Sequence, residues 1–138
     1  MSKTIIQSVQ FKNCTCDILY NLYMDSKLHS KVIDGPVKIK KKEGAIFSAY
    51  GDYITGKTLQ LISNKLIVQS WWGSDWDTRE TISTLILLFE QKGKDAVVYM
   101  THANVPDAHY QSIKNGWNLY YWKPWKAYLA GKETMKKY

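Results

Sequence analysis

A chain of 138 residues is long enough for one domain with its own core and needs neither disulfides nor metal to fold. Its formal charge of +7 comes from nineteen Lys and Arg against twelve Asp and Glu, and Arg79 is the sole Arg. Specific nucleic-acid readers lean on Arg for bidentate contacts, so this Lys-rich excess argues against that class and fits solubility or an acidic protein partner.

Residues 4–11 alternate loosely and are expected to form a strand that turns at Lys12-Asn13. Thr15 to Met24 has helical spacing, with Ile18, Leu19, Leu22 and Tyr23 on one side. Asp25 or Ser26 can cap a second short helix carrying Leu28 and Val32, closed by Asp34-Gly35-Pro36. Cys14 and Cys16 are too close for an easy disulfide in regular structure and too few for a zinc site, so two reduced thiols in a cytoplasmic protein are expected.

From residue 37 to about 103 strands follow one another with short connections, which favours an antiparallel meander. The expected strands are Val37–Lys42, Ala45–Tyr50, Tyr53–Ile62, Leu66–Trp72, Arg79–Glu90 and Ala96–His102. The first is basic and suits a sheet edge. Gly56 marks a bulge or close approach. Trp71 and Trp72 must face opposite sides of one strand: Ile67 and Gln69 share a face with Trp71, Leu66, Val68 and Ser70 with Trp72, and the pattern does not choose between them.

Pro106 opens a helical segment to about Asn115, and Gly116 to about Leu129 reads as the major helix. A helical projection puts Trp117, Tyr120, Tyr121, Trp125 and Tyr128 on one broad face, with Trp122 and Leu129 at its margin. Pro124 removes the hydrogen bond to the Tyr120 carbonyl and is expected to bend the helix. Six Trp and ten Tyr against three Phe suit cavity walls, since these rings carry a polar atom on a large apolar body.

Four stretches, CDILYNLYMDSKLHSKV, GAIFSAYGDYITGKTLQLISNKLIVQSWW, TISTLILLF and VPDAHYQSIKNGWNLYYWKPWKAYLAG, appear in the order and spacing of a known family. Together they cover about residues 4–131, and the chain resembles the AHSA1-like family. That family is named for the C-terminal domain of the activator of the Hsp90 ATPase, within the START and Bet v 1-like superfamily. The resemblance implies an α+β helix-grip fold of β-α-α-β6-α order: a curved antiparallel sheet wrapped around a long C-terminal helix, here as one domain over residues 1–138. It implies a cavity between sheet and helix for a lipid, sterol or aromatic molecule, and supplies no catalytic motif. The Hsp90 activator also has a separate N-terminal docking domain, for which this chain has no room. An Hsp90-activating role is therefore the alternative to small-molecule binding.

The expected cavity residues are Trp71, Trp117, Tyr121, Trp125 and Tyr128, competing with a plain core role for the same rings. A small residue at Tyr121 is expected to weaken ligand binding more than folding. Lys38, Lys40, Lys41 and Lys42, with the loop residue Trp76, form the candidate surface for an acidic partner such as Hsp90. His29, His102 and His109 are scattered without a metal-binding motif, and no nucleotide or acyl-transfer signature occurs. No cofactor, metal or enzymatic activity is expected. The longest apolar run, Leu85 to Phe89, is too short to span a bilayer, no signal peptide opens the chain, and either a monomer or a homodimer is compatible with the pattern.

Overall fold

A computed structural model describes residues 2–136, with side chains described through residue 131. The chain runs β1 (Ser2–Phe11), α1 (Cys16–Met24), α2 (Ser26–Ile33), then six strands: β2 (Val37–Lys38), β3 (Ile46–Ala49), β4 (Ile54–Ile62), β5 (Leu66–Gly73), β6 (Ser83–Lys92) and β7 (Asp95–Pro106). It ends in α3 (Asp107–Trp117), a π-helical turn (Asn118–Trp122) and α4 (Lys123–Lys136). The strands form one antiparallel sheet in the order β1-β7-β6-β5-β4-β3-β2. The meander from β2 to β7 follows from short turns, and β1 completes the sheet by pairing with β7. This is the helix-grip fold expected from the sequence.

Period-two alternation sets the inner face. In β5, Ile67, Gln69 and Trp71 are buried while Leu66, Val68, Ser70 and Trp72 lie half-exposed on the other side. Register then sets Leu85 opposite both Gln69 and His102, and Trp71 opposite Ser83. Against this face the chain packs α1 on β6 and β7, α3 on β1 and β7, and α2 on α4. Asp25 caps α2, its carboxylate accepting from the Leu28 N–H at 3.0 Å.

Glycine is required where backbones meet closely. A Cβ on Gly56 would stand 1.9 Å from the Ser70 carbonyl oxygen, so Gly56 is the close approach between neighbouring strands. The register shift in β4 falls instead between Thr58 and Gln60. A Cβ on Gly73 would stand 2.5 Å from Trp76, whose indole folds back onto the strand end.

Several expected boundaries move, among them the end of β7, which runs past His102 to Pro106. The basic edge strand stops at Lys38, because the chain turns back between Lys40 and Lys42 and enters a left-handed Gly44. Residues 79–82 stay out of β6: the Asp77 carboxylate accepts from both the backbone N–H and the guanidinium of Arg79, which closes a turn there. No break separates the last helices at Gly116. The irregularity comes before Pro124, where the Lys123 N–H reaches back five residues to the Asn118 carbonyl. A widened turn accommodates a proline ring that would clash with the carbonyl four residues earlier in a regular α-helix.

Candidate functional site

Between the C-terminal helix and the β3–β5 end of the sheet lies a cavity of about 420 Å³. Its deep wall is Trp71 from β5 with Trp117 and Tyr121 from the helix. Ring centroids lie 6.4 Å apart for Trp71–Trp117 and 4.8 Å for Trp117–Tyr121. Tyr50, Tyr53 and Tyr120 line the rest; Tyr53 and Tyr120 are exposed, so the mouth opens between them. Ile54 and Ile113 add apolar surface, and Gly116 leaves space where another residue would project.

Buried hydrogen bonds hold the deep wall in place. The Trp117 indole N–H donates to His102 Nδ1 at 3.2 Å. That ring nitrogen must accept, so the hydrogen of the neutral imidazole sits on Nε2, which donates to the Ser83 hydroxyl at 2.9 Å. Ser83 in turn donates to the Trp71 carbonyl. A second relay starts at Tyr121, whose hydroxyl donates to His29 Nε2 at 2.9 Å while His29 Nδ1 donates to the Tyr23 carbonyl at 2.7 Å. The Tyr23 hydroxyl donates to Gln69 at 2.7 Å, and Gln69 donates to Thr58 at 3.1 Å. Both histidines are fully buried. Burial pushes His29 down to about 4, partly opposed by its bond to the Tyr23 carbonyl, and pushes His102 down to about 3. Both are neutral at pH 7, with each ring nitrogen already engaged.

Of the five cavity residues expected from the sequence, the structure brings together Trp71, Trp117 and Tyr121. Trp125 does not line the space: it is wholly buried beneath it, against Phe11 at 5.8 Å and Trp122 at 5.1 Å. Nor does Tyr128, which lies farther along the helix below the Lys31 ammonium. The π turn explains the slip, since its extra residue per turn rotates everything after it relative to a 3.6-residue projection. Trp122 thereby moves inward, stacking on Trp117 at 5.5 Å and donating to Gln7 at 2.8 Å, while Tyr120 moves to the rim.

On the proposed outer surface, Lys38, Lys40, Lys41 and Lys42 are all exposed. Trp76 does not join them. It is only 4% exposed, packed on Trp71 at 5.6 Å and Trp72 at 5.2 Å and stacked on His109 at 5.9 Å. A flat apolar ring folds inward when a glycine, Gly73, leaves room for it.

Sequence reasoning missed the rim and the relays. Tyr50 and Tyr53 flank a turn and carry no periodic signal. His29 lies 92 residues from its Tyr121 partner, and His102 lies 15 from Trp117 and 19 from Ser83. Among the described residues no three His, Cys, Asp or Glu side chains gather as a metal-binding group. None of the described helices is long and apolar enough to cross a membrane.

The family model described as activator of Hsp90 ATPase homolog 1-like protein matches residues 13–130. The chain belongs to that family. The human activator of 90 kDa heat shock protein ATPase homolog 1 is 23% identical over 134 residues, covering 88% of this chain and 39% of that protein. Its mouse counterpart is 22% identical over 105 residues, covering 76% and 31%. The chain thus spans less than half the length of these relatives. An HSP90 activator from Plasmodium falciparum superposes with a TM-score of 0.85 at 20% identity, covering 92% of this chain and 96% of that one. CalU16 from Micromonospora echinospora superposes at 0.72 and 17% identity, covering 86% and 71%. At these identities the structural likenesses establish the fold.

Proposed function

We propose that this family member is a non-catalytic binding module whose cavity holds a small hydrophobic molecule, a lipid, sterol or aromatic. The observation that carries the reading is the cavity itself: about 420 Å³, lined by six aromatic rings and by no charged residue. That volume falls within the range of small-molecule sites, and most of its wall is apolar, so a ligand gains by leaving water. Binding rather than catalysis is supported by the two buried histidines, whose ring nitrogens are all engaged behind the wall. A general base needs an accessible lone pair within reach of its substrate, and neither imidazole offers one. We take residues 1–138 as one such domain in the cytoplasm.

Native mass spectrometry of gently purified protein, followed by a thermal-shift series of fatty acids, sterols and planar aromatics, tests this. A co-purifying mass, or a dose-dependent rise in melting temperature, is expected. A clean apo mass with no shift from any class contradicts the reading.

A second reading is favoured by the likeness to Hsp90 activators and by the exposed Lys38, Lys40, Lys41 and Lys42. Here the chain docks on an acidic protein surface such as that of Hsp90, with the cavity incidental. Steering by such a patch weakens with salt, so charge reversal at Lys40, Lys41 and Lys42 would abolish a salt-sensitive association.

A further inference from the structure

The hydrogens of the cavity wall show what kind of occupant it suits. Seven lining side chains carry an N–H or O–H: five aromatic residues other than Trp71, Trp71 itself, and Ser112. Four of these donate their single hydrogen to the protein. Tyr50 donates to the Ile33 carbonyl at 3.1 Å, Trp117 to His102 at 3.2 Å and Tyr121 to His29 at 2.9 Å, while Tyr53 is bonded to the Asp75 carboxylate at the mouth. A phenol whose hydrogen is engaged offers oxygen lone pairs and its π face, and such an indole offers its π face, all of which are electronegative.

Charge points the same way. The protein carries +7, yet none of the ten residues lining the cavity is a Lys or Arg. Burial, followed by Asp75 and Tyr120, raises the Tyr53 hydroxyl; burial, followed by Tyr120 and Asp34, raises that of Tyr50. No cation contributes to either. A chamber of six rings with a carboxylate at its entrance repels anions and attracts positive charge, as aromatic cages do.

We propose that the cavity takes a small organic cation, an amine or quaternary ammonium borne on an apolar or aromatic body. This inference rests on the cavity being a ligand site and narrows its ligand class, placing fatty acids last, since no Lys or Arg lines the cavity to pair with a carboxylate and only Trp71, Ser112 and Tyr120 keep a hydrogen to offer one. The cationic group meets the rings and the lone pairs at the Tyr53–Asp75 mouth, and the apolar body meets Trp71, Trp117 and Ile113.

Phenyltrimethylammonium and tert-butylbenzene differ by a charged nitrogen in place of a carbon and are otherwise nearly the same shape; 4-tert-butylbenzoate supplies the opposite charge. NMR titration following the Trp71 and Trp117 indole N–H signals should show the cation binding about tenfold tighter than the neutral compound, and the anion weakest of the three. Asp75→Asn, an exposed loop substitution, should weaken the cation by roughly threefold and leave tert-butylbenzene unchanged. If the neutral compound binds as tightly as the cation, the inference falls while the cavity remains a ligand site. If none of the three perturbs either indole at millimolar concentration, both fall.

Discussion

Lowering the pH from 7 to 4 should remove most of the protein's folding stability, and the two buried histidines should cause it. Folded His29 and His102 hold their pKa down near about 4 and about 3, against an unfolded value near 6.5. The unfolded chain therefore binds more protons than the folded one throughout that interval. Their contribution is complete above pH 6.5, and is lost as the pH falls toward each folded value. At about 1.4 kcal/mol per unit, acidification to pH 4.5 costs roughly 3 kcal/mol per histidine. Two such terms are comparable with the roughly 5–15 kcal/mol by which domains are stable. Urea titrations between pH 7 and 4.5 should show a midpoint falling steeply below pH 6.5. In His102→Gln the slope should be about half as steep, even though the variant starts out less stable. A midpoint that stays flat across this interval would mean that the imidazoles are not held neutral.

Tyr121→Ala should cost about 4 kcal/mol, within the range for deleting a large buried ring. The ring touches Trp117, Trp125 and Tyr23, and its hydroxyl is the partner of His29 Nε2. Removing it opens a void and strands a buried acceptor. Tyr121→Phe separates the two effects and should cost only about 1–2 kcal/mol, the penalty for one unpaired buried group. The sequence alone leads one to expect a small residue at this position to weaken binding more than folding; these contacts add a large folding cost to that expectation. Chemical denaturation of both variants checks it. A loss below about 1 kcal/mol for Tyr121→Ala would show that the ring is a cavity lining and not part of the frame.

The fold was legible because its elements announce themselves locally: a pair of short helices, the second capped by Asp25, alternating strands joined by polar turns, and a terminal helix rich in Trp and Tyr. The site was legible only in part. Which of Trp71 and Trp72 faces inward could not be read, because the buried face of β5 carries Gln69 and the outer face carries Leu66 and Val68. Hydrophobicity favours the wrong side there. Gln69 belongs inside because Tyr23 and Thr58 satisfy its amide, and those partners lie 46 and 11 residues away. Trp125, Trp122 and Tyr128 were misplaced for a different reason: the π turn breaks the 3.6-residue period on which the projection depends.

The same relays explain why a space this size persists beside the core. Trp117 and Tyr121 are tied by His102 and His29 to the sheet and to α2, so they cannot tilt into the void without stranding buried polar atoms. Gly116 contributes no side chain to fill it. A Cβ there would meet only the Tyr120 ring, at an ordinary 3.5 Å. Leucine at this position would therefore extend into the cavity without displacing backbone, and it favours helix over glycine by roughly 0.8 kcal/mol.

The most direct measurement compares Gly116→Leu with the parent protein, using melting temperature and an aromatic ligand that raises it in the parent. The variant should fold at least as stably and lose the ligand-induced shift, because the added side chain projects into the cavity that Trp71, Trp117 and Tyr120 line. A stably folded variant that keeps the full shift would place the ligand elsewhere and contradict the cavity as the functional site.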